Sequence, residues 1–86
     1  RGVVNTVDAN VRRMVEKALK VRANSVIVAH NHPDGIALPS REDEIFTRCL
    51  FNALETVGIK LEDHIIVADE DYISVADTGM MGLYHY

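Results

Sequence analysis

Two histidines and an aspartate, spaced as His30-x-His32 and then Asp43 with Ser40 between them, are the residues of this sequence best suited to chemistry. Two imidazoles and a carboxylate make three ligands. Three protein ligands leave one position of a tetrahedral zinc site open for water, which is the count of a catalytic site and not of a closed structural one. Each piece alone has a plainer account. Histidines near strand ends often serve as hydrogen-bonded polar residues. Ser40-x-x-Asp43 also reads as a shortened capping box, in which Asp43 bonds the N-cap amide and complements the helix dipole. The joint occurrence of His-x-His, a tight turn and Ser-x-x-Asp in one short segment favours the metal reading.

The flanking sequence supplies elements that can bring these side chains together. Val26-Ile27-Val28-Ala29 is short, apolar and β-branched, the pattern of a strand buried on both faces, with His30 at its carboxyl end. Residues two apart on an extended chain share a side, and Pro33 biases His32 toward that conformation. Both imidazoles can therefore reach one ion while Asn31 points away. Pro33-Asp34-Gly35 is a turn signal that reverses the chain at once. Pro39-Ser40 then opens a helix whose apolar residues Ile45, Phe46, Cys49, Leu50, Ala53, Leu54 and Val57 recur at helical spacing, with Gly58 as its C′ residue. Ser40 becomes the N-cap and Asp43 the third helical residue, so the third ligand rides on a rigid element.

The ungapped pattern His30-x-His32-x7-Ser40-x-x-Asp43 resembles the JAMM signature of MPN-plus metalloproteases and isopeptidases. Three longer words resemble, more narrowly, the bacterial RadC-type proteins, long labelled DNA repair proteins. These are Ala29-His30-Asn31-His32-Pro33-Asp34-Gly35, Pro39-Ser40-Arg41-Glu42-Asp43 and Asp63-His64-Ile65-Ile66-Val67, and the likeness runs from Gly2 to Gly79. The resemblance implies one Zn²⁺ per chain held by His30, His32 and Asp43, with Ser40 assisting the tetrahedral intermediate. It also implies a glutamate on an early strand as general base. The acidic residues before His30 are Asp8 and Glu16. Glu16 falls with Lys17 and Lys20 on the polar side of a helical pattern whose apolar members are Val11, Met14, Val15, Ala18 and Leu19. The base is therefore expected in sequence upstream of this chain. Arg1-Gly2 leading directly into Val3-Val4-Asn5-Thr6 reads like the middle of a strand, so the chain is expected to be the C-terminal portion of an MPN-type domain, with residues 1–86 as one unit.

The remaining sequence bounds this reading. Ile59-Lys60-Leu61 and His64-Ile65-Ile66-Val67 read as strands, and Asp69-Glu70-Asp71 turns into a hairpin partner, Tyr72-Ile73-Ser74-Val75. The expected fold is α/β, a mixed sheet with helices packed on its faces. Asp63 and His64 are strand neighbours facing opposite sides, which makes His64 structural and not half of a dyad. Cys49 lies on an apolar stripe as a core residue, and His85 sits in a terminal Tyr84-His85-Tyr86. With 86 residues, a core this small would leave an exposed sheet edge through which the chain could form a homodimer. No apolar run is long enough to span a bilayer and there is no secretory signal. With a single cysteine, the expectation is a cytoplasmic protein.

Arg12, Arg13, Lys17 and Lys20 could meet phosphates weakly. The net charge of −4 and the lack of interleaved aromatics oppose nucleic-acid binding. There is no His-Glu-x-x-His helix of the zincins and no Pro-Cys-x-x-Cys of the zinc deaminases. What remains is a metallohydrolase acting on an amide or isopeptide bond. The alternative is a noncatalytic metal-binding scaffold or DNA-repair accessory.

Overall fold

A computed structural model describes residues 6–33, 35–79 and 81–82. In chain order they form α1 (Thr6–Lys20), β1 (Ser25–Asn31), α2 (Arg41–Thr56), β2 (Lys60–Ala68) and β3 (Asp71–Ser74). Thr6 is already helical, so the expected opening strand is limited to residues outside the described ones. The same holds for His85.

Local sequence accounts for both helix ends of α2. Ser40 sits extended at the N-cap and its hydroxyl accepts the Asp43 amide. Asp43 reciprocates by accepting the Ser40 amide, a complete capping box. At the other end Gly58 takes φ +76, its amide donates to the Glu55 carbonyl, and the Ile59 amide donates back to Leu54. That is a Schellman closure, which favours glycine because an L side chain is strained at positive φ. The buried stripe of α2 runs Asp43, Thr47, Leu50, Phe51 and Leu54. It is rotated from the expected one. Ile45 is 44% exposed and Val57 is exposed, while Phe46, Cys49 and Ala53 are half-buried against the core. The rotation follows from the cap, because a buried Asp43 brings Thr47 inward one turn later.

The sheet has the order β1-β2-β3, with β1 and β2 parallel and β2 and β3 antiparallel. It is the expected mixed sheet, joined by α2 as the crossover. The core joins Val28 to Leu50, Phe51, Leu54, Ile59 and Leu61, and α1 adds Val11 and Ala18. The expectation that β1 is buried on both faces is incorrect. Val28 is buried but Ile27 is 66% exposed, because the described core covers β1 on the Val28 side only. The two expected strands at residues 59–61 and 64–67 are one strand, β2. Val26 pairs with Leu61 and Ile27 with Asp63, leaving Glu62 as an extra residue in a bulge. That single residue resets the alternation, so Leu61 and His64 both point inward although three positions apart. The hairpin forms as expected, with Ala68 opposite Asp71.

On the polar face of α1, Arg12 and Glu16 form an exposed ion pair at 3.4 Å, the solvated role expected of Glu16. Among the described residues no helix is long and apolar enough to cross a membrane.

Candidate metal centre

Parallel pairing with β2 fixes the carboxyl end of β1, where His30 lies opposite Ile66. The His32 amide extends the ladder by donating to the Val67 carbonyl at 2.7 Å. Just beyond, Gly35 adopts φ +78, and a Cβ there would lie 2.8 Å from Asp69 Oδ2. The turn after the second histidine therefore needs glycine for both its backbone angle and its space. It brings the Ile36 carbonyl to 3.0 Å from His32 Nδ1.

The first turn of α2 then meets the strand end. Asp43 is only 7% exposed. Its Oδ2 accepts the Ser40 amide at 2.9 Å and stands 2.7 Å from His32 Nε2, while Oδ1 lies 3.7 Å from His30 Nε2. Burial by itself would raise the Asp43 carboxyl, but the Ser40 amide and hydroxyl, His32 and the charge of His30 together hold it below the usual carboxylate range. His30, His32 and Asp43 form a group that could hold a metal ion, with one donor atom from each within 4.8 Å of the others. The capping and ligand readings of Asp43 therefore coexist in one carboxylate.

Hydrogen-bond inventory tests whether a cation fits. A carbonyl only accepts, so His32 Nδ1 carries a hydrogen for Ile36. A neutral ring then has a bare lone pair at Nε2. That lone pair cannot face a carboxylate oxygen at 2.7 Å without positive charge between them, either a proton on Nε2 or a metal ion shared by both. A tetrahedral zinc with bonds of about 2.0–2.2 Å sets its ligand atoms roughly 3.4 Å apart, so loading would spread the 2.7 Å His32–Asp43 pair and draw in the farthest donors, which lie within 4.8 Å of one another. His30, with 45% of its side chain exposed, forms the open side, while His32 is largely enclosed. His30 and Asp43 line a cleft of about 360 Å³ between α1, β1 and α2, with Met14, Val28 and Phe46 as apolar walls and Asn10 and Glu42 as polar ones.

Sequence reasoning missed the support beneath this cluster. Thr47, one turn after Asp43, donates its hydroxyl to the Asp43 carbonyl at 2.6 Å, and His64 Nδ1 lies 2.5 Å from the same Thr47 oxygen. A threonine at i+4 from a candidate ligand, inside an apolar stripe, was the available signal. Burial holds the His64 imidazole below its usual range, with the charge of Asp43 pulling the other way. Asp63 does face away from the His64 ring, as expected. Its carboxylate accepts the His64 amide, the Ser74 hydroxyl and the Ala76 amide, fastening β2 to β3 and the turn that follows.

A parallel β-α-β unit with two histidines ending its first strand and an aspartate in the first turn of its helix is the layout of a JAB-type domain. The chain matches the RadC-like JAB domain family over residues 1–80, and it belongs to that family. Among its relatives is a UPF0758 protein of Shewanella amazonensis, 42% identical over 82 residues, which are 95% of this chain and 36% of that protein. Another, from Nitrosococcus oceani, is 43% identical over 81 residues, 94% of this chain and 36% of the relative. A third, from Pseudoalteromonas translucida, is 45% identical over 80 residues, 93% and 36% respectively. The chain thus spans little more than a third of the length of these curated relatives.

Proposed function

We propose that this domain is the metal-binding part of a zinc-dependent hydrolase that cleaves an amide or isopeptide bond. The observation that carries the reading is the 2.7 Å approach of His32 Nε2 to Asp43 Oδ2, with the other ring nitrogen already committed to the Ile36 carbonyl. Such a pair needs a positive charge, a proton or a metal ion, and the third donor from His30 on the open side favours the ion. A bound zinc ion supplies Lewis-acid polarisation of a carbonyl and lowers the pKa of water toward about 7.

The chain's own residues account for the rest of the site. His30, His32 and Asp43 would hold the ion. Ser40 Oγ accepts the Asp43 amide, and its hydroxyl, which hydrogen-bonds the Asp43 carboxylate in the metal-free site, would turn its proton to an oxyanion at the positive end of the α2 dipole. Met14, Val28 and Phe46 would shelter an apolar substrate group from water. Among the described residues the glutamate in this cleft is Glu42, whereas Glu16 is committed to Arg12. Proton acceptance within this chain would fall to Glu42, and the full rate to the upstream glutamate that the JAMM pattern implies.

Elemental analysis of protein purified without added metal should find about one zinc per chain, removable by a chelator. Hydrolysis of a panel of quenched-fluorescence peptide and isopeptide substrates by the longer protein should then depend on that zinc. Absence of any divalent metal, before or after loading, would refute the reading. Stoichiometric zinc without hydrolysis would favour the noncatalytic scaffold.

A further inference from the structure

His64 is 1% exposed, and its Nε2 is a buried polar atom without a hydrogen-bond partner. Its tautomer follows from the neighbours. The Asp43 carbonyl can only accept, so the single Thr47 hydroxyl proton goes there, and the Thr47 oxygen must in turn accept a hydrogen from His64 Nδ1. In the neutral ring Nε2 is then a bare lone pair. A buried acceptor left unsatisfied costs on the order of 1–3 kcal/mol, so an apolar side chain would be the more stable filler here. Something must supply a donor.

The His64 ring lies edge-on to His30, at a centroid separation of 6.1 Å and an interplanar angle of 71°. His30 turns Nε2 toward Asp43, which leaves Nδ1 as its second hydrogen-bonding atom. A histidine that ligates a metal through one nitrogen almost always donates the other N–H to an acceptor, which fixes ring orientation. His32 has that acceptor in the Ile36 carbonyl. Among the described residues the structure gives His30 none. We propose that His64 is the positioning residue for His30 when His30 Nε2 is on the ion, its Nε2 accepting the His30 Nδ1–H through one water at the present ring separation, or directly once the His30 ring moves closer. A hydrogen-bonded path then runs from one candidate ligand to another, from the Asp43 carbonyl through Thr47 and His64 to His30. This inference rests on the metal-site reading above.

The test compares zinc affinity, by competition against a chromophoric chelator, for the unchanged protein, His64→Phe and His64→Gln, with thermal unfolding of the metal-free forms alongside. Phenylalanine has no acceptor, whereas glutamine places its amide oxygen near the former Nε2. The expected result is a 10–100-fold loss of zinc affinity in His64→Phe, with most of it retained in His64→Gln. Long-range ¹H–¹⁵N correlation spectra of the metal-free protein should show the Nδ1–H tautomer at His64, and zinc should shift its Nε2 resonance. Equal zinc affinity in a folded His64→Phe, or an Nε2–H tautomer, would overturn the proposal and leave the metal site standing. No zinc binding by the unchanged protein would remove both. Should His64→Phe not fold, the glutamine variant and the tautomer decide.

Discussion

Asp43 joins two jobs that a pair of substitutions can separate, Asp43→Asn and Ser40→Ala. Asparagine keeps an oxygen for the Ser40 amide, now at 2.9 Å from Oδ2, so the capping bonds largely survive. It forfeits the negative charge in the first helical turn, worth about 0.3–1 kcal/mol. It also forfeits a charge-assisted bond to His32, worth about 1.5–3 kcal/mol when its partner is charged. The metal-free protein should lose about 2–4 kcal/mol in total. Ser40→Ala removes the acceptor of the Asp43 amide and should cost about 0.5–2 kcal/mol, a fall in Tm of about 4–8 °C per kcal/mol for a domain of this size.

The two variants should diverge on metal. Loss of an outer-sphere partner typically weakens metal affinity about 10–100-fold, so exchanging a ligating carboxylate for a neutral amide should exceed about 100-fold. Ser40→Ala removes no ligating atom, only a hydroxyl partner of the Asp43 carboxylate, so its zinc affinity should fall less than that of Asp43→Asn, while turnover of any substrate falls by about 10² to 10³ through the lost oxyanion donor. Calorimetric zinc titration beside urea unfolding of the apo forms supplies both numbers. If Asp43→Asn binds zinc as tightly as the unchanged protein, Asp43 is a helix cap and not a ligand. If Ser40→Ala keeps full turnover, Ser40 is a cap alone.

Gly35→Ala should destabilise the fold by more than the roughly 1–2 kcal/mol of a left-handed L residue, because its Cβ would also press on Asp69 Oδ2 at 2.8 Å; chemical denaturation with an unchanged m-value would show it. Thr47→Val, nearly isosteric, strips the His64 Nδ1–H of its acceptor and should cost about 1–3 kcal/mol in the same assay. His64 is held below its ordinary value of 6.5 by burial, so the unfolded chain takes up a proton before the folded one does. Its contribution to stability is complete above that value and declines as pH falls through 6.5 toward the folded value. In His64→Phe the pH dependence of apo stability in that window should flatten, which unfolding curves across a pH series would register.

The candidate site was the most legible part of the sequence because local rules specify it. An i, i+2 pair on a strand, a turn with glycine at positive φ and a capping box each act within a few residues, and all three are in place. What escaped depends on contacts between distant segments. The bulge at Glu62 is invisible to a period-two count, which would put Leu61 and Asp63 on one face and turn His64 outward. Once the register shifts there, His64 enters the core to meet Thr47, a contact across 17 positions. The exposed face of β1 was hidden for a related reason: a run such as Val26-Ile27-Val28 reads alike in a strand covered on both faces and in one covered on a single face. The first strand expected around Val3-Val4-Asn5 lies outside the described residues.

Sharing one carboxylate between cap and cluster has an energetic consequence for metal binding. Immobilising a flexible side chain costs roughly 0.5–1.5 kcal/mol. For Asp43 that ordering accompanies folding, since the Ser40 amide already fixes Oδ2. For His32 it does so as well, through the Val67 carbonyl at its backbone and the Ile36 carbonyl at its ring. Two of the three donors are thus organised before any ion arrives. His30 differs: it is the most exposed of the three, with 45% of its side chain exposed against 11% for His32. The side-chain ordering left for binding therefore falls mostly on His30, and substitutions that change how that ring is held should alter affinity more than equally conservative changes behind His32.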